Sequence, residues 1–130
     1  MRAAAHTDYG TMTILKPDDA PGGLQVLGKD DRWHDVPYDP HMFVINLGDL
    51  MARWTNDRWK STMHRVVVPP ADPGRPTRRQ SMAFFHNINA DEVVSCIDTC
   101  ASAANPPKYK PIVSFEFLMQ KHLASVQGYK

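Results

Sequence analysis

His6-Thr7-Asp8-Tyr9-Gly10-Thr11-Met12-Thr13-Ile14-Leu15 is the stretch that decides how this chain folds. Thr11 to Leu15 is rich in β-branched residues and reads as a strand. It ends in the turn cluster Pro17-Asp-Asp-Ala-Pro-Gly-Gly23. His6 and Asp8 stand two residues apart, so on an extended segment they share a face. Further on, Leu24–Leu27 reads as a second short strand, Lys29–Arg32 as a hairpin turn, and Trp33–Val36 as the strand that pairs back. Met42–Leu47 is a third apolar strand, and Gly48–Asn56 a short helical turn. Ser61–Val68 and Arg79–Ile88 read as further strands, separated by the proline-rich loop Pro69–Thr77. Ser95–Lys110 is mostly loop, and Ser114–Leu123 has helical composition, with Ser114 placed to cap it. Phe84 and Phe85 straddle their strand, so that one can face a pocket and the other the outer core; core packing is the expected role for either, and Trp54 is expected as a packing anchor.

Composition narrows the class. Eleven prolines and seven glycines in 130 residues break the chain into short elements, which suits a β-sandwich or barrel. The net charge of +1 gives no electrostatic case for nucleic acid or an anionic membrane. No apolar run approaches the roughly 18 residues of a membrane span. Met1-Arg-Ala-Ala-Ala5 lacks the apolar segment of a secretory signal. Two cysteines, Cys96 and Cys100, are too few for a disulfide framework, so a reducing cytoplasm is expected.

The polar residues carry the chemistry. His6, Asp8 and the distant His64, inside Ser61-Thr-Met-His-Arg-Val66, supply two imidazoles and one carboxylate. That donor set is the facial triad of non-haem Fe(II) oxygenases, and it leaves three octahedral positions open. Arg79 and Ser81 stand two apart on a strand and share a face, while Arg78 turns away. A guanidinium fork beside a hydroxyl suits a carboxylate. His34, His41, His86 and His122 lack such context and are expected to be surface or satisfied side chains.

Taken together, these residues resemble the C-terminal catalytic part of the isopenicillin N synthase-like, Fe(II)- and 2-oxoglutarate-dependent dioxygenases. The stretches that carry the resemblance are His6–Leu15, Gly23–Val26, Phe43–Asp49, Trp54–Asn56, Ser61–Val66, Arg79–Ser81 and Phe84-Phe85. They cover roughly residues 3 to 88. The resemblance implies a mainly-β double-stranded β-helix, or jelly roll, with a C-terminal helix. It implies residues 1–95 as the oxygenase core and 96–130 as a loop and helix packed on it. It further implies Fe(II) held by His6, Asp8 and His64, and 2-oxoglutarate (2OG) as cosubstrate with dioxygen. Arg79 and Ser81 would grip the C5 carboxylate of 2OG, and no catalytic side chain is expected beyond the metal ligands. A small organic molecule would be hydroxylated or desaturated while 2OG is decarboxylated to succinate.

About six strands can be counted, against eight in a full jelly roll. The motif opens at residue 6, and five preceding residues extend at most ~17 Å at about 3.3 Å each. The expectation is therefore an incomplete roll that self-associates or depends on an N-terminal segment. The rival expectation is a truncated, non-catalytic metal-binding or interaction module derived from the same fold.

Overall fold

The structure, a computed structural model, describes residues 1–19, 22–68, 74 and 78–127. The expected loop Pro69–Thr77 lies outside the described residues apart from Gly74. The strands are β1 (Ala3–His6), β2 (Met12–Pro17), β3 (Leu24–Leu27), β4 (Trp33–Asp35) and β5 (Val44–Leu47). Helix α1 (Asp49–Trp54) follows, then β6 (His64–Val66), β7 (Ser81–His86) and β8 (Val93–Val94). A 3-10 turn (Asp98–Cys100), β9 (Ile112–Val113) and helix α2 (Ser114–Gln127) complete the chain. The described strands form a four-stranded sheet ordered β1-β6-β3-β4, a three-stranded sheet ordered β5-β2-β7, and the pair β8-β9. No helix among the described residues is long and apolar enough to cross a membrane.

The chain divides into two compact units. The first comprises residues 1–7, 14–46 and 62–84. Its four-stranded sheet is antiparallel throughout. Gly28–Arg32 makes the tight β3–β4 turn, with the Gly28 amide donating to the Arg32 carbonyl at 2.8 Å and Asp31 at φ 57°. The register pairs His6 with His64, His64 with Val26, and Val26 with His34. Strand alternation then sets Gln25, Arg65 and Asp35 on the opposite face. There Arg65 Nε donates to Gln25 Oε1 at 2.8 Å, and Gln25 Nε2 to Asp35 Oδ1 at 2.9 Å. The Arg65 guanidinium also lies 4.1 Å from the centre of the Trp33 ring.

The second unit comprises residues 8–13, 47–61 and 85–130. Its core is Leu50, Val94 and Phe117, with Trp54, Ile88 and Ile112 packed against it. Trp54 is thus the packing anchor expected of it. Helix α2 starts differently from expectation. Ser114 is fully buried, and its hydroxyl has no hydrogen-bond partner among the described residues. The amides of Ser114 and Phe115 donate instead to the carbonyls of Glu92 (2.9 Å) and Ala90 (3.0 Å). Helix α2 begins at Ser114, so the serine is its first residue rather than its cap, and carbonyls of the segment leading into β8 take the first amides of the helix.

Two further expectations need correction. Phe84 and Phe85 do not pack in the core: they are 60% and 61% exposed. Their strand, β7, is the outer strand of its sheet among the described residues, and all six of its residues are exposed. The strand expected over Ser61–Val68 is the three-residue β6. Its flanks still bond as extended chain, with Leu27 N donating to Met63 O and Val67 N to Gly23 O.

Candidate metal centre and cosubstrate site

His6 and His64 are cross-strand partners, and their rings lie 4.3 Å apart between centroids. Each Nδ1 faces a backbone carbonyl two residues upstream: Ala4 O at 2.8 Å for His6, Thr62 O at 3.0 Å for His64. A carbonyl can only accept, so each Nδ1 carries a proton, which in a neutral imidazole leaves the lone pair on Nε2. This is the arrangement that prepares an imidazole for a metal. Asp8 follows His6 by two residues. One ligand atom from each of His6, Asp8 and His64 lies within 4.8 Å of the others, the single such group among the described residues. Two neutral imidazole nitrogens and a carboxylate oxygen fit Fe(II).

The segment carrying Asp8 is held by its backbone. Helix α1 presents its free N-terminal amides to it: Asp49 N donates to Asp8 O at 2.8 Å, and Leu50 N to the carbonyls of Tyr9 and Gly10 at 3.1 Å each. Gly48 N donates to Thr11 O at 2.9 Å. So the amides of a helix start are spent on the turn that carries Asp8. The fit is close. A Cβ on Gly48 would stand 2.2 Å from Gly10 O and 2.9 Å from Asp8 O, and one on Gly10 would stand 2.2 Å from Asn87 Oδ1. Thr11 is fully buried; its hydroxyl donates to His86 O at 2.7 Å and lies 2.8 Å from His86 Nδ1. Thr13, 5% exposed, donates its hydroxyl to Asp8 Oδ2 at 2.5 Å.

Gly10, Gly48, Thr11 and Thr13 are the supporting residues that sequence reasoning passes over. Their signal was present in the stretches Gly10–Thr13 and Leu47-Gly48-Asp49, but a glycine before a helix has several ordinary uses. Only the pairing of two distant stretches gives these positions a purpose.

Arg79 and Ser81 adopt the expected alternation. Arg79 Nη1 donates to Ser81 Oγ at 3.3 Å, whereas Arg78 Nη2 donates to Gln80 Oε1 at 3.4 Å. Arg79 is half-buried and lines a cavity with Pro17, Asp18, Leu24, Tyr38 and Val44. Burial holds its pKa below the ordinary arginine value; Asp18 opposes that shift and Arg2 reinforces it. A partly desolvated guanidinium beside a second cation favours an anionic ligand.

Of the other histidines, His34 bonds Asp30 at 2.9 Å on the surface, and that bond holds the Asp30 carboxyl below its usual range. His86 is engaged by Thr11, and His41 and His122 are exposed. Cys96 and Cys100 are free thiols.

Residues 1–88 match the family described as the 2OG-Fe(II) oxygenase superfamily. The chain belongs to that family. It is 45% identical over 109 residues to the 2-oxoglutarate-Fe(II) type oxidoreductase hxnY of Emericella nidulans, a match covering 83% of this chain and 30% of that protein. The crystal structure of full-length Neurospora crassa T7H in complex with alpha-KG superposes with a TM-score of 0.87 at 40% identity, covering 95% of this chain and 37% of that one. That of JOX2 in complex with 2OG, Fe and JA gives 0.77 at 39% identity, covering 89% and 32%. The chain therefore spans about a third of the length of these relatives. The fold is the mainly-β jelly roll of the 2OG oxygenases with a C-terminal helix. Fe(II) and 2OG are the family's cofactor and cosubstrate.

Proposed function

We propose that this chain is the catalytic part of a non-haem Fe(II)- and 2OG-dependent dioxygenase. His6 Nε2, His64 Nε2 and the Asp8 carboxylate hold the Fe(II), and Arg79 with Ser81 binds the distal carboxylate of 2OG. The observation that carries this reading is the pair of imidazoles whose Nδ1 atoms face Ala4 O and Thr62 O, with one ligand atom of each ring and one of Asp8 within 4.8 Å of one another.

When bound, Fe(II) supplies the oxygen-activating chemistry, with the 2-oxo acid as reductant. The protein's own work is geometric and electrostatic. The backbone carbonyls orient the imidazoles. The amides of α1 anchor the turn that carries Asp8. Arg79 fixes the far end of the cosubstrate by a charged fork, and Ser81 adds a donor. No side chain beyond the ligands is required to move a proton. The prime substrate is a small organic molecule, hydroxylated or desaturated while 2OG becomes succinate and carbon dioxide. Relatives crystallised with thymine and with JA support that class of substrate. Residues 1–95 form the oxygenase core and 96–130 the appended loop and helix. Two free thiols favour a reducing compartment, the cytoplasm.

The test is anaerobic Fe(II) titration of His6→Ala, Asp8→Ala and His64→Ala. Each variant should lose tight binding. Wild-type affinity in Asp8→Ala would remove the carboxylate from the ligand set and the reading with it.

A further inference from the structure

We infer that Asp18 is a positioning residue for cosubstrate selection: by clamping Gln80, the one residue between Arg79 and Ser81, it sets that pair to receive a dicarboxylate. This rests on the reading of Arg79 and Ser81 as the grip on the distal carboxylate of 2OG. The Asp18 amide donates to the Gln80 carbonyl at 3.0 Å, and the Gln80 amide donates to Asp18 Oδ2 at 2.9 Å. Both backbone polar groups of Gln80 are thus held by one residue. In an antiparallel pair the two residues exchange backbone N–H···O bonds. Here a side-chain carboxylate oxygen accepts from the Gln80 amide, and the bond is charge-assisted.

The clamp falls where the sheet stops. Strand β2 ends at Pro17 and β7 starts at Ser81. Asp18, Arg79 and Gln80 therefore lie just past the strand ends. Strand β7 is also the outer strand of its sheet among the described residues, so β2 is the neighbour that steadies it. Arg79 and Ser81 share a face only while Gln80 keeps its extended setting. Their own contact is weak for that task, because Arg79 Nη1 to Ser81 Oγ is a long 3.3 Å. The two bonds from Asp18 are shorter and act on the backbone itself.

Asp18 also lines the cavity that Arg79 lines, and its charge opposes the effect of burial on the guanidinium. Asp18 is exposed, so water and salt screen that charge. The acceptor oxygen is the stronger of its two contributions. The two are separable: Asp18→Asn keeps an oxygen and loses the charge, and Asp18→Ala loses both.

The experiment compares two cosubstrates on the Fe(II)-loaded 130-residue chain under anaerobic conditions. One is 2OG; the other is 2-oxopentanoate, the same 2-oxo acid without the distal carboxylate. Dissociation constants are measured for wild type, Asp18→Ala, Asp18→Asn and Arg79→Ala. The preference of wild type for 2OG should fall roughly three- to tenfold in Asp18→Ala, the scale of one lost hydrogen bond. Affinity for 2-oxopentanoate should stay within about twofold, because that acid does not use Arg79, whereas a general loosening of the fold would weaken both acids alike. Asp18→Asn should restore the preference. Three results would overturn the inference while Arg79 keeps its role: Asp18→Ala with the wild-type preference, Asp18→Ala weakened equally toward both acids, or Asp18→Asn as impaired as Asp18→Ala. If Arg79→Ala keeps the wild-type preference, the reading of Arg79 is wrong and the inference falls with it. Should Asp18→Ala not fold, amide hydrogen exchange of the wild-type chain decides. A protected Gln80 amide supports the clamp, and one that exchanges at the open-chain rate overturns it.

Discussion

Gly48→Ala isolates the contact on which the turn carrying Asp8 depends. The backbone at Gly48 is ordinary, with φ −99°, so an alanine meets no torsional objection. The objection is space. The new Cβ would stand 2.2 Å from Gly10 O, 2.8 Å from Gly10 C and 2.9 Å from Asp8 O. All three atoms are backbone and cannot rotate away. Relief requires the 8–11 turn and the start of α1 to separate by about an ångström, a displacement of the overpacking kind that costs ~1–3 kcal/mol. Three donors cross this junction, from Gly48, Asp49 and Leu50. Weakening even one of those hydrogen bonds costs about 1 kcal/mol more. The sum is roughly 2–4 kcal/mol. Thermal unfolding should fall by about 6–16 °C, at ~3–4 °C per kcal/mol for a chain of this size. Gly22→Ala is the informative control. Gly22 has φ +83° but nothing within 4 Å of its would-be Cβ, so it should lose only about 1 kcal/mol to backbone strain. Differential scanning calorimetry and Co(II) titration of the two variants measure both effects. Gly48→Ala within 0.5 kcal/mol of wild type, or less damaging than Gly22→Ala, would refute the steric argument (the threshold being roughly the spread of neutral surface changes).

Arg79→Ala should weaken 2OG binding by about 1.5–3 kcal/mol, the scale of a charged hydrogen bond. Isothermal titration should show a loss of roughly ten- to a hundredfold, and little loss for Arg78→Ala; the reverse order would mean that the strand register is wrong. Asp57 gives a pH prediction. Burial alone would raise its carboxyl, but hydrogen bonds from Lys108 and Tyr109 outweigh that and hold it below the usual aspartate range. A carboxyl depressed in the folded state contributes stability above its unfolded value, and that stability is lost as pH falls through the folded value. Urea unfolding should therefore show an Asp57-dependent loss beginning below about pH 4. Asp57→Asn should remove that slope. The same contact raises the Tyr109 phenol above its ordinary range, because ionisation would break its bond to Asp57. An ultraviolet titration should find one tyrosine ionising late, and late only while Asp57 is present.

What could be read from residues alone follows how local each feature is. Strands β2, β3, β4 and β5 lie where β-branched and apolar runs end in turn residues. The alternation that puts Arg79 and Ser81 together needs only a period of two. The Arg78–Gln80 and Arg79–Ser81 hydrogen bonds realise it. The pair β8-β9 was beyond such reading. Val93-Val94 and Ile112-Val113 are two residues each, and their pairing is long-range. Ser114 misled for a related reason. A serine at a helix start is an ordinary cap, but here Ser114 is already the first helical residue, its own amide and that of Phe115 bonded to the carbonyls of Glu92 and Ala90. Phe84 and Phe85 read as core because aromatic pairs in strands usually are, yet β7 has no described neighbour on its outer edge. At the candidate site, the donor types are legible from chemistry. Their preparation is not: the tautomers, the α1 amides, and the grip of Thr13 on Asp8 are all contacts that only the fold creates.

The central claim is that His6, Asp8, His64, Arg79 and Ser81 together bind Fe(II) and 2OG at one site. The most direct measurement is anaerobic addition of Fe(II) and then 2OG to the purified chain, followed by visible absorption. Chelation of ferrous iron by the 2-oxo acid should give a metal-to-ligand charge-transfer band that saturates at one equivalent. The band should be absent from His64→Ala and require much higher 2OG in Arg79→Ala. A folded wild-type chain that shows no such band with both components in excess would contradict the account.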